Sequence, residues 1–181
     1  MRRAMAVVVA AWMAAQAAGA QEAPAEAPAP VPAAVLPAEF TAIEIEKRSA
    51  GTFYINGAIE GVGALDMLVD TGSSYLVITQ PMLDTLEQGG RASFSRGLEG
   101  RMADGSTRVV PLYRIESVRL GETCWVHDVE AAIFPAGSRT ILGMNVLSRL
   151  APFTFSADPA RLGLANCQGP PTTKTSGAAA Q

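Results

Sequence analysis

The chain is poor in the residues on which much enzyme chemistry depends. It has one histidine and two cysteines in 181 residues. His127 stands beside Asp128, yet the serine spacing gives no support to a Ser-His-Asp triad, and an exposed strand position is the simpler account. Cys124 and Cys167 lack metal-ligand spacing. In an oxidising compartment they could form one disulfide, and the sequence leaves that open. Neither a metal nor a cofactor is expected. Charge of one sign is also scarce. The formal net charge is −3, with the acidity spread along the chain, so there is no basic footprint for nucleic acid or anionic lipid. No long internal repeat is visible. The 49% hydrophobic content owes much to alanine-rich ends and does not argue for a membrane protein.

The ends separate from the middle by composition. Residues 1–20 resemble a secretory signal: Arg2 and Arg3 make a positive start, residues 4–17 are uncharged and mostly apolar, and Ala18-Gly19-Ala20 has the small-x-small form of a cleavage site. The apolar run is short for a membrane span. Left uncleaved, it would instead anchor the protein in the inner membrane. No cysteine sits near the cleavage point, which disfavours a lipoprotein. Export to a periplasm is the expectation. Residues 21–38 are an Ala/Pro-rich linker, extended and semi-stiff. Residues 168–181, with Pro170-Pro171 and runs of Thr, Gly and Ala, lack core material and are expected to be disordered. The folded unit is then 39–167, long enough for one domain with a real core.

Within that unit nearly every segment has strand character. Residues 40–46 alternate apolar and polar. Asn56-Gly57 between two β-prone runs predicts a hairpin. Residues 81–87 predict a short helix that opens near Pro81 and stops at Gly89-Gly90. Residues 91–100 have no clear pattern. Asp104-Gly105 predicts a second hairpin, and 115–120 and 123–134 two strands around Gly121. Ile141-Leu142 is expected to be a short buried strand, 144–150 a short helix, and 153–155 with 161–164 the closing strands. Many short strands at regular spacing mean an all-β barrel or sandwich with one or two short helices.

One stretch stands out. Leu65 to Val69 and Tyr75 to Ile78 are apolar strands, and between them lies Asp70-Thr71-Gly72-Ser73. A carboxylate so placed needs a reason, because desolvating a lone charge is costly. Gly72 permits backbone geometry closed to other residues, and Thr71 and Ser73 bring hydroxyls beside the acid. Taken alone, this could be an Asx-type turn. However, Val69-Asp70-Thr71-Gly72-Ser73 resembles the active-site turn of aspartic proteases. A single copy in a short chain resembles the retroviral type, the retropepsins, and their bacterial relatives. Ile141-Leu142-Gly143 and the short helix after it match the family's second mark, about 70 residues downstream. By itself Ile141-Leu142-Gly143 is ordinary core; the pairing gives it meaning. The resemblance spans about residues 40–165.

It implies a retropepsin-like closed barrel, active as a homodimer. Carboxylate-only hydrolysis of a peptide bond needs two acids, one ionised to take a proton from water and one protonated to hydrogen-bond the carbonyl oxygen. Pressed together, they share a proton. With one Asp-Thr-Gly per chain, two chains must each supply Asp70 at a twofold axis. The resemblance implies Asp70 as catalytic acid/base, Thr71 bracing the partner's turn, Gly72 letting backbone N–H groups approach the carboxylate, and Ser73 bonding its outer oxygen. Ile141, Leu142 and Gly143 should support the loop from below. Met102, Ala103, Asp104 and Gly105 sit where the family places its flap. The expected function is an aspartic endopeptidase acting on protein substrates, with water activated by paired Asp70 carboxylates. Its partners would be a second copy of itself and a protein or peptide substrate. The alternatives are a non-catalytic peptide-binding module, or an envelope scaffold, on the same fold. Unlike the viral enzymes, this chain ends in an Ala/Pro linker and a polar tail, so its dimer interface is expected to be built differently or to be weaker.

Overall fold

Short β-branched and apolar runs separated by turn residues do become strands, eleven among the described residues, with two short α-helices. The computed structural model describes residues 40–171 except 103, all within one unit, Leu36–Gln181. In chain order the strands are β1 (Thr41–Glu44), β2 (Glu46–Lys47), β3 (Phe53–Ile59), β4 (Gly63–Val69) and β5 (Leu76–Thr79). Helix α1 (Gln80–Gln88) follows, with its proline in the first turn, where the missing N–H costs nothing. Then come β6 (Ala92–Arg101), β7 (Thr107–Leu120), β8 (Cys124–Phe134) and β9 (Ile141–Leu142). Helix α2 (Met144–Leu147) precedes β10 (Phe153–Ala157) and β11 (Ala160–Leu164).

The main sheet has the order β2-β3-β4-β9-β5-β8-β7-β6. It closes because β7 also pairs back onto β3, through Gly57 with Leu120, Ala58 with Arg119 and Ile59 with Val118. Six strands thus form a barrel, and β6 continues outward with the first half of β7 as a long hairpin. A separate sheet has the order β1-β11-β10. The barrel interior is filled by Ile55, Ile59, Met67, Leu76, Ile78, Leu120, Leu142 and Leu147, each no more than 1% exposed. Burying each such side chain contributes about 2 kcal/mol.

Two local expectations fail for physical reasons. Asn56-Gly57 is not a turn; it lies inside β3, and the chain reverses at residues 60–62. Glycine is required there by crowding, because a Cβ on Gly57 would lie 2.2 Å from the Arg119 carbonyl oxygen of β7. Asn56 instead donates across the sheet to Asp66 at 3.3 Å. Residues 91–100, without visible pattern, fall almost wholly within a ten-residue strand, Ala92–Arg101. Their hairpin leaves the barrel, so neither face is steadily buried and no alternation is imposed.

Cys124 and Cys167 form a disulfide that joins the start of β8 to the segment after β11. The expected disordered tail begins at Gln168, which exchanges backbone hydrogen bonds with Trp125 at 3.0 and 3.2 Å. Residues 172–181, the signal-like segment and the linker lie outside the described residues. Among the described residues no helix is long and apolar enough to cross a membrane.

Candidate active site

The acidic turn sits where β4 and β5 part to admit β9. β4 runs parallel to β9, and β9 runs antiparallel to β5. The backbone N–H of Asp70 donates to the Leu142 carbonyl at 3.1 Å. The turn closes through the N–H of Ser73 onto the Asp70 carbonyl at 3.2 Å. The Gly72 N–H reaches Oδ1 of Asp70 at 2.8 Å, so a backbone donor fixes the carboxylate's orientation. Asp70 is half-buried, and Thr71 and Gly72 are exposed on the single chain. Ser73 differs from expectation. Its hydroxyl donates to the Tyr75 carbonyl at 3.0 Å, and a hydroxyl has one proton to give, so it is not donating to Asp70.

Ile141, Leu142 and Gly143 underlie this turn. Gly143 is buried against the carbonyls of Tyr75 and Ser73. Beyond it, Met144 N–H donates to the Ser73 carbonyl at 2.8 Å and Asn145 N–H to the Ser74 carbonyl at 3.0 Å. Asn145, which sequence reasoning did not single out, does the most. Its side-chain oxygen accepts the Leu76 N–H at 2.8 Å, and its amide nitrogen donates to the Glu130 carbonyl at 2.7 Å. The available signal was a lone amide inside the apolar run Leu142-Gly143-Met144-Asn145-Val146-Leu147.

Asp70 opens onto a cleft of about 660 Å³. Its floor is a small second apolar cluster centred on Val77, Leu112 and Ala132, with Tyr75, Phe134 and Ile141 around it and with Leu98 and Val110 of the β6–β7 hairpin packed onto it. Its roof is the β6–β7 hairpin. Met102 lines the cleft together with Asp70, and Asp104 and Gly105 form the hairpin tip. Ala103 lies outside the described residues. At the tip the Asp104 carboxylate accepts the Ser106 hydroxyl at 2.6 Å and the Ser106 N–H at 2.9 Å, which hold its pKa below the ordinary value. Lower down the hairpin, Glu130 of β8 accepts bonds from Ser95 and Arg96. Led by the Ser95 hydroxyl, they likewise hold its carboxyl below the ordinary range. Among the described residues no group of three or more His, Cys, Asp or Glu side chains could hold a metal ion.

Residues 55–149 match the family model described as "gag-polyprotein putative aspartyl protease", just over half of the 181-residue chain. No curated protein matches. Among solved structures, a retropepsin-like aspartic protease from Rickettsia conorii is similar at a TM-score of 0.52 and 22% sequence identity, over 72% of this chain and 96% of that one. At that identity the likeness concerns the fold: a retropepsin-like barrel, mostly β with two short helices. The matched segment contains both the Asp70 turn and the Gly143 turn, and the chain belongs to the gag-polyprotein aspartyl protease family.

Proposed function

We propose that the protein is an aspartic endopeptidase that works as a symmetric homodimer on protein substrates. The observation that carries this reading is the Asp70 carboxylate, held by the Gly72 N–H at 2.8 Å and lining a cleft together with the β6–β7 hairpin. The sequence holds one Asp-Thr-Gly, so one chain supplies half of a two-carboxylate site.

Two copies of Asp70 at the twofold axis share one proton, because adjacent carboxylates resist double ionisation. Water sits between them. The ionised carboxylate takes a proton from water while the oxygen attacks the peptide carbonyl carbon, and the other carboxyl gives its proton to the carbonyl oxygen. A tetrahedral diol results. It collapses as one hydroxyl gives its proton to the ionised carboxylate while the other carboxyl, protonated in the first step, gives its proton to the amide nitrogen. The C–N bond breaks, releasing an acid and an amine and restoring the singly protonated pair. Apolar walls and the hairpin roof exclude bulk water and strengthen these interactions. Thr71, exposed on the single chain, meets the partner's turn in the dimer. Gly72 and Ser73 shape the loop, and Ile141, Leu142 and Gly143 buttress it.

We also propose export to the periplasm, with cleavage before Gln21 of the signal-like residues 1–20; left uncleaved, that segment would anchor the protein to the inner membrane. Amino-terminal sequencing of the exported protein distinguishes the two. The catalytic reading is tested by incubating the purified protein with an unbiased peptide mixture from acid to neutral pH, beside Asp70→Asn. Cleavage by the first alone supports it. Absence of cleavage at a concentration where sedimentation gives a dimer favours a binding module.

A further inference from the structure

One polar side-chain cluster ties the roof of the cleft to the barrel, beside the apolar packing of Leu98 and Val110. Glu130 projects from β8 toward β6, and its Oε1 accepts both the Ser95 hydroxyl and an Arg96 nitrogen at 2.6 Å. A second Arg96 nitrogen reaches Oε2 at 2.9 Å, completing a bidentate pair, the strong form of such contacts. That same nitrogen donates to the Tyr75 hydroxyl at 3.1 Å. Tyr75 lines the cleft with Asp70. The Glu130 carbonyl, in turn, accepts the Asn145 amide that also holds Leu76. So the hairpin, the Asp70 turn and the Gly143 turn all meet at one residue.

The position along the hairpin matters. The β6–β7 register shifts by one residue between Phe94 and Arg96, so the strand bulges where it is fastened, and bulges re-aim strands. Beyond Arg96, β6 pairs with β7 as the terminal strand of its sheet, and Gly97 and Gly100 leave that arm thin. The Glu130 side chain is only 19% exposed, against 49% for Arg96, so solvent screens this pair less than a surface one.

We propose that Glu130, Arg96 and Tyr75 form a pin that sets the height of the hairpin over Asp70, with the arm beyond Arg96 pivoting about it when substrate enters. These are positioning residues, and their role in turnover rests on the proteolytic reading above. The pin acts through the hairpin and does not touch the reacting atoms. Its loss loosens the grip on substrate and leaves the chemistry of bound substrate in place.

The test uses Glu130→Gln, which keeps shape and removes charge, with Arg96→Lys and Arg96→Ala as a graded pair. Amide hydrogen exchange in Glu130→Gln should speed up about tenfold over 97–101 and 107–110, as expected for losing one charge-assisted contact, with β3 and β4 unchanged. In peptide cleavage, KM should rise about as much, with kcat little altered, and Arg96→Lys should lie between the native protein and Arg96→Ala. Unchanged exchange over the hairpin, or acceleration spread equally over the barrel, overturns the pin. If the native protein cleaves nothing while the exchange effect stays on the hairpin, the pin stands as a structural hinge and the proteolytic reading fails.

Discussion

A Cβ built on Gly143 would lie 2.2 Å from the Tyr75 carbonyl oxygen and 2.6 Å from its carbon. The obstacle is backbone, locked between β9 and the Asp70 turn, and it cannot swing aside as a flexible side chain would. Gly143→Ala should therefore destabilise the fold by about 3 kcal/mol, the upper part of the range for overpacking. The midpoint of urea unfolding measures it, and an unchanged midpoint would mean that the turn yields.

Asn145 should rank close behind. Truncation to alanine leaves the Leu76 N–H and the Glu130 carbonyl without partners in a partly buried setting, at about 1–3 kcal/mol for each unsatisfied group. Asn145→Asp keeps an acceptor for Leu76 and loses the donor to Glu130, so it should fall between. Unfolding curves of the three proteins give the order directly.

Much of this site was legible because its signals are local. Asp70-Thr71-Gly72-Ser73 between apolar runs, and Ile141-Leu142-Gly143 before a short helix, are contiguous patterns, and α1 announced itself through Pro81 and Gly89-Gly90. What escaped was set by neighbours distant in sequence. Gly57 is a glycine because β7 crosses it, and that crowding looks identical to a hairpin turn on paper. β6 has no buried face to impose a period. The pin joins Tyr75, Arg96 and Glu130, whose separations in the sequence carry no motif. Ser73 chose a carbonyl over the carboxylate, a choice among hydrogen-bond acceptors that composition does not rank.

The disulfide should contribute substantially to stability. Cys124 and Cys167 are 43 residues apart, and closing a loop of that length in the unfolded chain is worth about 4 kcal/mol on the chain-entropy account. It also holds the segment that bonds to Trp125 and His127. Reduction, or Cys124→Ala with Cys167→Ala, should lower the urea midpoint accordingly. A fall of under about 1 kcal/mol would mean that the reduced chain keeps those contacts in the unfolded state.

Acid should loosen the pin, and the sign is fixed by Glu130. The Ser95 hydroxyl foremost, then Arg96 from β6 and Arg114 from β7, hold its carboxyl below the ordinary value of 4.5. The Tyr75 hydroxyl completes the set through Arg96. A lowered folded pKa gives stability that is complete above pH 4.5 and is lost as pH falls through the folded value. Urea midpoints of the native protein should therefore drop below pH 4.5 more steeply than those of Glu130→Gln, which has no such proton to bind. Parallel curves would contradict this.

The most direct measurement of the central claim is a mixing titration of native protein with Asp70→Asn, read as peptide cleavage per native chain. If each active site needs one Asp70 from each of two chains, mixed dimers carry a single carboxylate and are silent. At equal amounts, with subunits exchanging freely, cleavage per native chain should fall to about half, and a large excess of Asp70→Asn should extinguish it. Cleavage per native chain that stays constant across the titration would contradict a site built from two copies of Asp70.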